Sequence, residues 1–240
     1  MGNLNLASFI FLVVLFVLVP RAALRSARQL RQAQASGAMP PRTRIVISTM
    51  FSLTVVWFIA QLNAAAMGYS LFRTGAIGAR EAGAGLMALA VLLVTIPLAR
   101  AMRRPEEDRR RLIFSLAPRT RREWMLFALL AVMAGIAEES AYRGVAVWIL
   151  TPVFGSIVPA VFLSAMAFGV AHAVQGAKAM VTVFGIALVL QLLVYVTKTL
   201  VIAMVVHAVY DVAAGYAASK RAKALQVSDS GAASPAAPMG

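Results

Sequence analysis

Six ionisable side chains lie inside apolar stretches of this chain: Glu138, Glu139, Arg143, His172, His207 and Asp211. An ionised group at the centre of a bilayer-spanning helix costs about 2.5–3.5 kcal/mol on insertion scales, so such residues mark a functional site by default. Both histidines of the chain are among the six. Glu139 and Arg143 are four residues apart, one helical turn, and can form an ion pair on one face. Glu138 is rotated about 100° from Glu139 on a helix and is expected to face elsewhere, one turn from Tyr142, without a local cationic partner. His207 and Asp211 repeat the four-residue spacing, and His172 follows Phe168 by four.

The chemistry open to this set is hydrolysis. A carboxylate held away from bulk water can take a proton from a water molecule near neutral pH, which suits Glu138 to general-base work. An imidazole can orient that water or protonate a leaving amine. A second polar pair across the site can stabilise an oxyanion. Zinc is the rival activator, with Glu138, His172, His207 and Asp211 as its ligands. The chain lacks His-Glu-x-x-His, which leaves only ligands drawn from separate helices. Each feature also has a plainer reading. The Glu139–Arg143 pair could be a structural clamp, His207–Asp211 a satisfied polar contact, and His172 a core histidine. Three helices that each carry such a cost argue for a shared purpose.

The elements that must position these residues are membrane helices. The chain has 240 residues, of which 61% are hydrophobic, and a mean hydropathy of +0.81. Seven apolar segments stand out, at Leu4–Val19, Ile45–Met67, Gly83–Leu98, Trp124–Trp148, Ser156–Val174, Ala179–Val196 and Thr199–Ala217. Each approaches the roughly 20 residues a helix needs to cross about 30 Å of hydrocarbon. The fold class is therefore all-α, a polytopic transmembrane bundle of about seven helices. Only Thr197-Lys198-Thr199 separates the last two segments, and a tight turn is expected there. Residues 1–122 form an N-terminal part with basic connectors, 123–218 a core carrying the six residues, and 219–240 a tail whose Ala, Ser, Pro and Gly content from Ala224 onward predicts disorder.

Charge sets the orientation. The net charge is +14, which in a soluble protein would suggest nucleic acid. Here the basic residues lie between apolar runs and read as topology determinants beside anionic lipid at the cytoplasmic face, with no nucleic-acid partner. With the N-terminus outside, cytoplasmic segments hold the arginines of 21–44 and 100–122, Lys178, and Lys220, Arg221 and Lys223, or 19 of the 23 Lys and Arg. The outer loops hold Arg73, Arg80 and Lys198. The first segment has no basic residue before it and six arginines after it, the reverse of a signal peptide, and is expected to remain as a helix. The stretch Arg103–Arg122 reads as a solvated cytoplasmic connector, in part helical along the lipid surface. The chain has no cysteine, so thiolate nucleophiles, Cys-based metal sites and disulfides are excluded.

Glu-Glu-x-x-x-Arg at 138–143, Phe-x-x-x-His at 168–172 and His-x-x-x-Asp at 207–211, in that order on successive membrane helices, resemble the CPBP or Abi family. These are the CAAX-protease and bacteriocin-processing intramembrane endopeptidases, including the Ras-converting prenyl-protein endopeptidases. The resemblance covers about Trp124 to Ala217. It implies that Glu138 is the catalytic base acting with His172 on water, that His207 and Asp211 hold the oxyanion, and that Glu139 and Arg143 support the site. It further implies a metal-independent mechanism, with no cofactor, on a membrane-associated protein or peptide. The family commonly has Asn where this chain has Asp211; a carboxyl there acts on the oxyanion only when protonated, or else orients His207. A second departure concerns depth: Glu138 lies well inside its segment and His172 near the end of its own, so the fourth segment is expected to start deeper, tilt, or bend near Gly135. The protein is expected in the plasma membrane, and the reading from another class is a proton-coupled transporter or a membrane scaffold. Transporters of that kind favour broken helices in matched halves, and the sequence shows no such symmetry.

Overall fold

In the computed structural model, residues 5–72, 77–101 and 112–232 are described. The apolar runs become helices because lipid offers no partner for backbone N–H and C=O groups, and a helix satisfies them internally. In chain order the helices are α1 (Leu6–Ala35), α2 (Arg42–Ala66), α3 (Ala79–Ala101), a short α4 (Leu112–Leu116), α5 (Arg121–Phe154), α6 (Ile157–Ala171), α7 (Ala177–Thr197) and α8 (Leu200–Ala232). No strand occurs among the described residues. Six of the helices are long and apolar enough to cross a membrane. The polytopic helical bundle expected from hydropathy is the fold observed.

The exception is α6. Its 15 residues reach about 22 Å at 1.5 Å per residue, short of a full crossing. It pairs with α5 as a hairpin through Gly155, which takes the left-handed conformation at φ 65°, and Ser156, whose hydroxyl caps α6 at the amide of Val158. The predicted break between the sixth and seventh segments also forms: α7 stops at Thr197, and Lys198 turns the chain at φ 57°. At its other end α5 begins with a capping box, in which Thr120 and Glu123 each satisfy the other's backbone amide.

Helix α5 is the axis of the bundle. Its first half packs between α2 and α8, while α6 packs on α7, and α3 on both α7 and α8. Outward-facing side chains such as Phe51, Leu86, Val181 and Leu192 are exposed, as lipid-facing positions should be. Two aromatic pairs of the kind that sit at membrane–water interfaces flank α5: Trp124 beside Tyr216, and Tyr69 stacked on Trp148 at 4.6 Å. Trp124 and Trp148 lie 24 residues apart on α5, about 36 Å by helical rise, and Glu138 falls between them.

Three expectations are corrected. First, α1 runs on to Ala35 instead of ending near Val19. Pro20 lacks an amide hydrogen and would break an α-helix, but a π-helical turn at Val14–Leu18 absorbs the misfit. Second, the described part of the Arg103–Arg122 connector is not solvated throughout. Leu112, Phe114 and Ala117 are buried, and Phe114 and Ala117 pack with Ala222 of α8, because the run Leu112-Ile113-Phe114 is itself apolar. Third, α8 continues to Ala232, beyond Ala224 where disorder is predicted. Alanine favours helix, and no proline intervenes before Pro235. Arg73, residues 102–111 and positions 233–240 lie outside the described residues.

Candidate active site

The Glu-Glu-x-x-x-Arg motif does not sit on an ordinary α-helix. After Glu138, α5 passes into a π-helical stretch at Glu139–Ala146 and then returns to α-helix. Such insertions are rare and concentrate at functional sites. All eight residues of the stretch are buried. A buried Glu and Arg need partners, and they find each other: Arg143 Nη1 is 3.2 Å from Glu139 Oε1. The ion pair expected from the four-residue spacing is present. The Arg143 guanidinium also lies over the Phe168 ring, 4.1 Å from its centroid.

Helix α8 supplies the next layer. His207 Nδ1 is 2.7 Å from Glu139 Oε1, so the ring N–H donates to the carboxylate that Arg143 also holds. The opposite ring nitrogen, Nε2, faces two more carboxyl groups, Glu138 Oε2 and Asp211 Oδ2, each at 3.6 Å. Glu138 therefore does not point away from Glu139. The two neighbours reach opposite edges of one imidazole, because that ring lies in the gap between their directions on α5. Three carboxyl groups around a single ring suit an imidazolium, which gives both edges a hydrogen to offer.

Close approach of α5 and α8 makes this possible. A Cβ on Gly135 would fall 2.6 Å from the Met204 carbonyl oxygen and 3.4 Å from Ala208 Cβ, so only glycine admits α8 this near. Glycine 135 lies in unbroken α-helix and serves contact with α8, one turn before the two glutamates. The depth mismatch has a different answer. Glu138 precedes Gly155 by 17 residues, and His172 follows it by 17, so the hairpin brings them level. His172 marks where the short α6 ends.

His172 caps the C-terminus of α6, and its Nδ1 donates to the Phe168 carbonyl at 2.9 Å. That bond fixes the tautomer of the neutral ring and leaves Nε2 as its acceptor. The Phe168 ring joins the whole set, 4.6 Å from the His172 centroid, 6.1 Å from His207 and 5.0 Å from Tyr142. His172 lies within electrostatic reach of Asp211, His207 and Arg143. The six predicted residues thus form one cluster, graded in exposure. The Glu139 and Arg143 side chains are 0% and 2% accessible, whereas Glu138 and Asp211 keep 17% and 33%. The reachable carboxyls are the pair at His207 Nε2, and the sealed one is the carboxyl held by arginine.

Sequence reasoning did not single out Ser164. Its hydroxyl, on α6, donates to the Tyr142 carbonyl at 2.8 Å inside the π-helical stretch. A hydroxyl within the apolar run 157–171 was the available signal. Although carboxylates and imidazoles are plentiful here, no three His, Asp or Glu among the described residues are arranged to hold a metal ion.

Residues 120–213 match the family model described as type II CAAX prenyl endopeptidase Rce1-like. The match begins at the cap of α5, ends two residues after Asp211, and bears out the resemblance carried by the three motifs. Neither the curated proteins nor the solved structures yield a match to this chain.

Proposed function

We propose that the protein is an intramembrane endopeptidase that hydrolyses a peptide bond of a membrane-associated protein or peptide with water activated by Glu138. The observation that carries this reading is the accessible carboxyl of Glu138 at the edge of His207, within a segment matched to a prenyl endopeptidase family. A water beside Glu138 and His172 Nε2 loses its proton to Glu138 as its oxygen attacks the scissile carbonyl. His207 Nε2–H faces the place where the oxyanion forms, and Asp211 orients that ring or, when protonated, donates alongside it. The proton held by Glu138 passes to the leaving amine as the C–N bond breaks. Glu139 and Arg143 hold His207 from behind and touch no substrate.

Two finer points belong to the same proposal. The chain functions without a metal cofactor, and its N-terminus lies outside a plasma membrane with the tail in the cytoplasm. Zinc is the rival activator, which Glu138, Asp211 and the two imidazoles would have to rearrange to hold. Activity that survives prolonged chelation in metal-free buffer supports the first reading. Activity that is lost and returns only with added zinc supports the second.

The central test compares protein termini in membranes carrying the intact chain and Glu138→Gln. New termini are expected only with the intact chain, and general-base loss should lower turnover about 10²–10⁴-fold. Equal proteolysis by the two would sink the assignment. The transporter reading predicts instead an unchanged set of termini and a lost proton flux.

A further inference from the structure

The π-helical stretch raises a question that the three motifs do not answer: what holds it. Where α5 returns to α-helix, the amide of Val147 is bonded to the Gly144 carbonyl. A π-helix would have sent that amide to Tyr142, five residues back. Tyr142 is buried, and its carbonyl lies within the π-helical stretch, where the hydrogen-bond spacing differs from that of an α-helix. Ser164 of α6 donates its hydroxyl to that carbonyl at 2.8 Å, and Ser164 is itself only 3% exposed. Ser164 also lies beside Arg143 and Gln191 in a narrow cleft.

The geometry points to Ser164 as a positioning residue for the active site, one that fixes the π-helical register that carries Glu139 and Arg143 directly after Glu138. The inference rests on the endopeptidase reading for its effect on turnover, but not for its effect on shape. If the stretch relaxed toward α-helix, the parts of α5 on its two sides would rotate against each other, and Arg143, inside the stretch, would move relative to Glu139 at its start. Glu139 would then lose the partner that holds it at His207 Nδ1, and the ring would lose the bond that orients Nε2 between Glu138 and Asp211. A displacement of about 1 Å at a reacting group can cost about 100-fold in rate. Ser164 touches neither imidazole nor either exposed carboxyl, so its influence passes through the backbone.

Threonine and valine have nearly the same shape and differ by the hydroxyl, so the test compares Ser164→Thr with Ser164→Val, with Ser164→Ala as the smaller control. Turnover in Ser164→Val should fall about 10- to 100-fold below Ser164→Thr, with KM within about twofold because no substrate contact is lost. The chain has two histidines, so ring nitrogen spectra of labelled protein resolve His207. Its Nδ1–H signal should shift in the Val and Ala variants and stay in place in Thr. Thr and Val variants with equal turnover and identical His207 spectra would overturn the inference. Should Glu138→Gln prove fully active, the protease reading fails alone, and the His207 spectra still decide the role of Ser164.

Discussion

Glu138 and Glu139, adjacent in the chain, meet opposite edges of the same imidazole: Glu139 Oε1 lies 2.7 Å from His207 Nδ1, and Glu138 Oε2 lies 3.6 Å from His207 Nε2. The short contact is fully buried and backed by Arg143, while the long one opens to a partly accessible carboxyl. One glutamate thus fixes the ring, and its neighbour is left able to take a proton.

That division predicts opposite signatures for the two glutamates. Glu139→Gln leaves Arg143 charged and buried without its partner, and breaking a buried pair costs about 3–5 kcal/mol. Its melting temperature in detergent should fall well below that of Glu138→Gln, whose side chain is already 17% accessible. Adding Arg143→Met to Glu139→Gln should recover part of the loss, since no lone charge then stays buried. Turnover should not recover, because His207 is still unheld. A double variant no more stable than Glu139→Gln alone would show that the pair is not a unit.

Gly135 tests whether helix contact sets the chemistry. Valine there must displace the Met204 backbone, since even a Cβ would come within 2.6 Å of the carbonyl oxygen. Overpacking of this kind costs about 1–3 kcal/mol. The larger effect should be on turnover, through separation of the glutamates from His207, at about 100-fold. Folded Gly135→Val protein with wild-type turnover would remove contact at that glycine from the account of the site.

Most of this arrangement was legible because bilayers make polar residues conspicuous. The helical bundle, the Thr197–Thr199 turn and the Glu139–Arg143 pair all follow from hydropathy and helical spacing, whereas the seventh expected crossing is the short α6. What the sequence could not convey is the meeting of Glu138 with Glu139's own partner. That depends on the π-helical turn, which has no composition signature, and on the approach of α8 at Gly135, which involves residues 69 positions from Met204. The length of α6 was hidden for another reason. Ala173 and Val174 are as apolar as the helix before them, so hydropathy alone extends it past His172.

Asp211 stands where the resembled family commonly has Asn, and its distance to His207 Nε2 equals that of Glu138. An amide in its place would remove one carboxyl from that nitrogen and supply a neutral N–H donor. Asp211→Asn should therefore stay active, with kcat changed by no more than about tenfold, whereas His207→Ala should lose about 10²–10³-fold as an oxyanion donor. If both variants lose activity equally, Asp211 has a proton-bearing role that an amide cannot fill.

Orientation can be read by chemistry because the chain carries no cysteine of its own. Ser36, between α1 and α2, and Ser156, between α5 and α6, are both exposed and fall on opposite sides of the proposed topology. A membrane-impermeant maleimide applied to intact cells should label Ser156→Cys and spare Ser36→Cys until the membrane is opened. The reverse pattern would put 19 of the 23 basic residues on the outer face, against the usual inward bias of Lys and Arg. It would also turn the α5–α6 hairpin around, so that the tail and the end of α6 beside His172 faced outward.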